Sequence, residues 1–130
     1  MDEKHLEAVP LFAGLGRKQR RAVAQRADEI DVSAGTKLAR EGEFAYEFFV
    51  IRDGTADVMH DGESIAQLGP GDFFGEVGVF ASERRTASVT ATSDMELIVL
   101  TSGDLRAIDR EYPGVHQQLA DAIDSRYAKN

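Results

Sequence analysis

The chain of 130 residues contains no cysteine, no tryptophan, and only three histidines. The lack of cysteine excludes disulfide bonds and thiolate metal sites, and it suits a reducing compartment such as the cytoplasm. His5, His60 and His116 are far apart in the sequence and form no His-x-His pair. We therefore predict that the protein holds no metal ion.

Long apolar runs are also absent. Phe48–Ile51 and Val77–Ala81 are among the longest, and both are far too short to span a bilayer. Residues 1–5 lack the basic and then apolar pattern of a signal peptide. These features predict a soluble, cytoplasmic protein with no membrane association.

Positive charge is scarce, since 15 Lys and Arg stand against 23 Asp and Glu, for a net charge of −8. This balance argues against nucleic acid or an anionic membrane as a partner, because both attract positive surfaces. The basic cluster Arg17–Arg21 is interpreted as the solvated face of a short helix.

The sequence also contains no Gly-x-Ser-x-Gly elbow, no Walker loop and no carboxylate pair at catalytic spacing, so we predict that the protein is not an enzyme.

Glycines divide the central part of the chain into short segments. Residues 1–27 show helical patterns: an apolar stripe of Leu6, Val9, Phe12 and Leu15, interrupted by Pro10, and a second helix over Arg17–Ala27. In residues 28–101, turn signals recur every 7 to 12 residues, a spacing typical of antiparallel barrels or sandwiches. The pair Asp61-Gly62 predicts a hairpin between strands Ala56–Met59 and Ser64–Leu68.

Residues 102–130 return to helical patterns. Thr101 is the predicted N-cap of a helix over Asp104–Glu111, and Pro113 is predicted as the first residue of the last helix. Apolar residues recur at helical spacing along that last segment, at Val115, Leu119 and Ile123. The three stretches together predict one domain over residues 1–130.

The segment 73–89 holds the parts of a site for an anion and a sugar. Gly75 and Gly78 allow a backbone to approach a ligand closely. Glu76 offers a carboxylate to hydroxyl groups, and Arg85 offers a planar fork of donors to phosphate oxygens. The apolar stretch after Glu76 can form a turn of helix whose free N–H groups attract phosphate. A strand pattern from Thr86 to Ala91 follows at once and would hold the arginine in place.

This segment resembles the phosphate-binding cassette of the cyclic nucleotide-binding domain family, and similarity to the family extends over nearly the whole chain. The likeness rests on Phe74-Gly75-Glu76, the apolar residues after it, and Arg85-Thr86-Ala87-Ser88-Val89 at the family's loop length. One departure is Arg84, where many members have proline. The resemblance implies a mainly β fold: a double-stranded β-helix, or β-roll, with N-terminal helices at 1–27, the roll at 28–101 and C-terminal lid helices at 102–130.

The resemblance also implies roles for single residues. Glu76 would accept a hydrogen bond from the ribose 2′-hydroxyl, while Arg85 and the amides of Gly78 and Val79 would bind the phosphate. Thr86 would contact the phosphate or the edge of the base, and its hydroxyl keeps guanosine nucleotides open as ligands. The implied ligand-binding set is Gly75, Glu76, Val77, Gly78, Val79, Arg85, Thr86 and Ala87. The implied lid residues are Leu119, Ile123 and Arg126.

The resulting hypothesis is a regulatory or sensor module that binds a 3′,5′-cyclic nucleotide, with cAMP favoured over cGMP. It would act on a protein effector in trans or through self-association as a homodimer. An alternative is a β-roll that serves as a protein-interaction or scaffold module without binding nucleotide. A further alternative is that the chain is a regulatory piece of a larger enzyme or transcription factor.

Overall fold

The computed structural model describes residues 1–44, 46–75 and 84–128, with residues 124–128 described by their backbone. The chain divides into two compact units. One comprises Met1–Asp28 with Gly103–Asn130, and the other comprises Glu29–Ser102. The first is built from helices and the second from strands.

The N-terminal part of the helical unit begins with two short elements. Helix α1 spans Lys4–Glu7 and a 3₁₀ helix spans Pro10–Phe12, with the proline at its first position. Helix α2 spans Arg17–Arg26, as the sequence predicts to within one residue. The side chains of the predicted apolar stripe are all buried: Leu6, Val9, Phe12 and Leu15.

Two further helices complete this unit: α3 spans Ser102–Glu111 and α4 spans Val115–Ala128. Pro113 lies in a turn, so its prediction as the first residue of the last helix is wrong. The physical reason is a cap from the preceding helix, because the carboxylate of Asp109 accepts hydrogen bonds from the amides of Gly114 (3.1 Å) and His116 (3.2 Å). Helix α4 contacts the 3₁₀ helix.

The described residues of the second unit form two four-stranded sheets. In one the strand order is β1-β8-β3-β6, and in the other it is β2-β7-β4-β5. The strands are β1 Asp28–Val32, β2 Lys37–Ala39, β3 Glu47–Asp53, β4 Ala56–His60, β5 Glu63–Leu68, β6 Phe73–Phe74, β7 Ser88–Ala91 and β8 Met95–Thr101. The pairings of β3 with β6 and β8, and of β4 with β5 and β7, are antiparallel.

A hydrophobic core fills the space between these sheets, since side chains of both contribute to it. Alternate residues of β8 and β7 contribute to it, as expected from the alternation of side chains along a strand. Phe49 and Phe74 stack there with ring centroids 4.7 Å apart. The buried members are Ala39, Phe49, Ile51, Ala56, Phe74, Val89, Ala91, Met95, Leu97 and Val99.

The predicted hairpin is present as β4 and β5. Asp61 and Gly62 form its turn with φ values of +50° and +80°. Two successive residues with positive φ are the requirement of a type I′ turn, whose twist matches that of the paired strands. The turn therefore follows directly from the Asp-Gly dipeptide in the sequence.

Candidate functional site

Gly75 follows β6, at the point where this short strand ends beside the start of β3. The pairing of Phe74 with Phe49 fixes the position of β6. Gly75 adopts φ +87°. A Cβ atom added there would meet Nη1 of Arg85 and would lie 2.6 Å from the carbonyl oxygen of Glu47. Two separate requirements, the backbone conformation and the lack of space, thus select glycine at this position.

Arg85 is the buried charged residue of this region, with an exposed fraction of 5%. Its Nη2 donates a hydrogen bond to the carbonyl oxygen of Glu47 (2.9 Å). Its backbone is also held, because its N–H donates to the carbonyl of Glu43 (2.9 Å) and its own carbonyl accepts from Gly42 (2.8 Å). A guanidinium remains charged in proteins, so these contacts fix a positive charge beside Gly75. Burial of such a charge is costly unless hydrogen bonds or anions compensate for it.

Arg84 has different surroundings from its neighbour. It is exposed, and its guanidinium lies 4.3 Å from the centroid of the Phe44 ring, itself a half-exposed side chain. Its Nη1 donates to the carbonyl oxygen of Gly42 (2.9 Å). The two arginines therefore have the opposite orientations that alternation along an extended chain predicts.

The residues after Arg85 are attached to neighbouring turns. Thr86 is exposed and Ala87 is half-buried. The carbonyl oxygen of Thr86 lies 3.1 Å from Nδ1 of His60, at the end of β4. The hydroxyl of Ser88 accepts a hydrogen bond from the amide of Glu41 (3.0 Å). The end of β4 and the turn after β2 thus each make one contact between a side chain and the backbone with the stretch that follows Arg85.

His60 also contacts two carboxylates. Its Nδ1 lies against the carboxylate of Glu41, and its Nε2 is 3.3 Å from Oδ2 of Asp61. The pKa of His60 is raised above its usual range, chiefly by the hydrogen bond to the Thr86 carbonyl and then by the charges of Asp61 and Glu41. The sequence did not reveal this cluster, because Glu41 and His60 approach each other only through the folding of the sheet.

The structure accounts for part of the predicted site. It brings Gly75 and Arg85 into contact and places Thr86 and Ala87 directly after them. Glu76, Val77, Gly78 and Val79 lie outside the described residues, as does the side chain of Arg126. Leu119 and Ile123 are buried, with exposed fractions of 1% and 4%. The sequence also gave no signal for the Glu47 carbonyl, because a backbone acceptor carries no residue signature.

None of the helices in the described residues is both long enough and apolar enough to cross a bilayer.

Comparison with known sequences identifies a family and several relatives. The model described as cyclic nucleotide-binding domain matches residues 29–112. The cAMP-dependent protein kinase regulatory subunit of Schizosaccharomyces pombe is 32% identical over 96 residues, which are 73% of this chain and 23% of the relative. The chain therefore spans about a quarter of the length of this curated relative.

Solved structures show the same fold. The N-terminal domain of a transcriptional regulator from Streptomyces coelicolor has a TM-score of 0.80 and 29% identity, with 96% of this chain and 93% of that chain covered. The regulatory domain of Toxoplasma gondii PKA, crystallised with cAMP, has a TM-score of 0.72 and 31% identity, with 82% and 42% covered. The predicted β-roll, with helices before and after it in the chain, is confirmed. The chain belongs to the cyclic nucleotide-binding domain family.

Proposed function

We propose that this chain binds a 3′,5′-cyclic nucleotide, cAMP in preference to cGMP, where Arg85 meets Gly75. The observation that carries the proposal is the buried guanidinium of Arg85, held on the Glu47 carbonyl and lying over a residue with no side chain. A cyclic phosphodiester carries one negative charge on two exocyclic oxygens. A planar guanidinium can pair with both oxygens at once, and the absence of a side chain at Gly75 allows a ligand to approach the backbone.

The chain's overall charge makes this local arrangement more important. At a net charge of −8 the mean field of the protein repels a phosphate, so short-range donors must supply the attraction. In the proposed complex, Glu76 accepts a hydrogen bond from the ribose 2′-hydroxyl, and the amides of Gly78 and Val79 join Arg85 at the phosphate. Gly75, Val77, Thr86 and Ala87 form the wall around the sugar and phosphate.

The preference for cAMP is supported by two relatives whose names mention that nucleotide. The S. pombe relative is a cAMP-dependent kinase regulatory subunit, and the T. gondii structure contains cAMP. The proposed role is binding without catalysis. The bound state would be sensed by a protein effector or by a second copy of the chain. The cytoplasmic location of the protein stays a prediction.

Calorimetric titration with cAMP and cGMP, side by side, tests the proposal directly. We expect one cAMP per chain, weaker binding of cGMP, and a melting temperature that rises with cAMP concentration by mass action. No heat and no thermal shift at millimolar nucleotide would overturn the proposal and favour the scaffold alternative. Tighter binding of cGMP would overturn the stated preference alone.

Helix α4 is the proposed lid over the base, through Leu119, Ile123 and Arg126. Leu119 and Ile123 are buried, and the helix contacts the 3₁₀ helix. If α4 responds to the ligand, amide hydrogen exchange after Pro113 should slow with cAMP by more than exchange in β5 does. Equal protection of α4 with and without cAMP would show that this helix is not a lid.

A further inference from the structure

Three side chains with metal-binding atoms converge at an exposed corner of the β-roll. Glu41 lies in the turn after β2, His60 ends β4, and Asp61 begins the β4–β5 turn. One ligand atom from each residue can be chosen so that all three lie within 4.8 Å of one another. We propose that His60 and Asp61, with the carboxylate of Glu41 beside the imidazole ring, bind a divalent transition-metal ion of the Zn²⁺ class, a property separate from nucleotide binding.

The hydrogen bonding of His60 favours a metal ligand at Nε2. Nδ1 lies 3.1 Å from the Thr86 carbonyl and also against the carboxylate of Glu41, and both groups only accept, so a neutral ring carries its hydrogen on Nδ1. The unprotonated Nε2 then lies 3.3 Å from Oδ2 of Asp61. Two acceptors at this distance repel each other unless a cation lies between them. A proton can supply that charge, and so can a metal ion.

The Thr86 carbonyl supplies a second feature of metal-binding histidines. Such a histidine almost always donates its other ring N–H to a carbonyl or a carboxylate, which orients the ring and strengthens the ligand nitrogen. His60 has that partner before any metal binds. The ring therefore does not need to find a new orientation on binding.

The two carboxylates supply charge for the ion. Within the described ranges, the ion pairs of Glu41 and Asp61 are with His60. A bound divalent ion would thus be attracted by two negative charges that no lysine or arginine of this part of the chain neutralises. The amide of Asp61 lies 3.5 Å from the other oxygen of Glu41, so this carboxylate lies near the β4–β5 turn.

The donor set indicates the class of ion. An imidazole nitrogen together with carboxylate oxygen suits Zn²⁺, Ni²⁺ or Cu²⁺, whereas Mg²⁺ and Ca²⁺ prefer sites made of oxygen alone. Because the corner is exposed, water can complete the coordination shell. We expect reversible binding from solution rather than an ion that is retained throughout purification.

Calorimetric titration of the full chain with Zn²⁺ and with Mg²⁺, without nucleotide and in a mildly alkaline buffer that does not chelate, tests the proposal. We expect uptake of one Zn²⁺ per chain and no comparable heat with Mg²⁺. His60→Gln should remove Zn²⁺ binding, and the matched change His116→Gln should keep it. Arg85→Ala should also keep it, which separates this site from the proposed nucleotide site.

The metal site would be overturned by no Zn²⁺ heat with the ion in excess over the chain, by equal binding of Mg²⁺, or by unchanged Zn²⁺ binding in His60→Gln. A loss in His116→Gln would place the binding elsewhere and would overturn it as well. His60 and Asp61 are exposed, so both His60→Gln and Asp61→Asn should fold, and a metal-free thermal melt checks this. If His60→Gln fails to fold, Asp61→Asn decides: loss of Zn²⁺ uptake supports the site, and full retention contradicts it.

Discussion

Gly62 and Gly75 share a backbone conformation but not its cause. Their φ values are +80° and +87°, both in the region that favours glycine. Around a Cβ added to Gly62 there is no atom within 4 Å, whereas one added to Gly75 would meet Arg85 and Glu47. Gly62 is therefore required only by the conformation of its own turn. Gly75 is required in addition by the space that the side chain of Arg85, ten positions later in the sequence, occupies.

The same contrast separates the arginines. Arg85 is buried and is bonded through its side chain and through its backbone. Arg84 lies exposed against Phe44. Two neighbouring residues of the same type thus differ in their expected effect on binding, because one is enclosed and hydrogen-bonded by the fold and the other lies on its surface.

Removal of Arg85 is expected to give the largest effect. Arg85→Ala deletes a desolvated phosphate partner, a loss on the order of 2–5 kcal/mol in binding free energy. This corresponds to roughly 30-fold or more in cAMP affinity, at about 1.4 kcal/mol per tenfold. Arg85→Lys should restore only part of the affinity, because a single ammonium replaces the planar fork. The measurement is calorimetric titration with cAMP, and equal affinities for Arg85→Ala and Arg84→Ala would show that the assigned register is wrong.

Substitution of Gly75 should affect both folding and binding. In Gly75→Ala the positive φ is strained and the new methyl group displaces the guanidinium, so the free energy of unfolding should fall by at least about 2 kcal/mol. The affinity for cAMP should fall with it, since Arg85 leaves its position over the glycine. Urea-induced unfolding and cAMP titration measure the two effects. Wild-type values in both would contradict the contact between Gly75 and Arg85.

Gly62 is the matched control with a smaller expected effect. Gly62→Ala adds a methyl group in open space, so only the strain of positive φ remains, about 1 kcal/mol of unfolding free energy. Affinity for cAMP should not change, because the β4–β5 turn contributes no group to the proposed phosphate site. The same two measurements apply. A loss of stability as large as that of Gly75→Ala would remove the distinction between the two glycines.

Arg84 should give the smallest effect. Arg84→Ala loses an exposed cation–π contact with Phe44, which is expected to contribute about 0.5–1 kcal/mol to stability. Its effect on cAMP affinity should stay within about tenfold and should shrink as salt is added, because long-range attraction between exposed charges is screened. Titrations at low and high salt check this. A loss that did not depend on salt would indicate that Arg84 touches the ligand directly.

Much of the fold could be predicted because its signals are local. The Asp61-Gly62 turn and helix α2 each follow from short stretches of sequence. The cassette was recognised for a similar reason, since its residues are contiguous in the chain. The orientation of Arg84 and Arg85 required only the alternation of an extended strand.

Other features depend on tertiary contacts that no single stretch contains. The start of α4 at Val115 depends on a carboxylate of the preceding helix, Asp109, which accepts from amides beyond Pro113. The anchor of Arg85 is a backbone carbonyl 38 positions away. The cluster around His60 has no signature in the sequence, because it consists of a single imidazole between two carboxylates and contains no paired histidines.

The contact between Gly75 and Arg85 also sets an order in which descendants of this sequence can lose their site. While the arginine is present, any side chain at position 75 clashes with it, so the glycine cannot change first. Once the arginine is replaced by a small residue, the clash ends, but the positive φ still disfavours other residues at that position. Lineages that abandon the ligand should therefore keep the glycine after the arginine has gone, and the reverse combination should be rare.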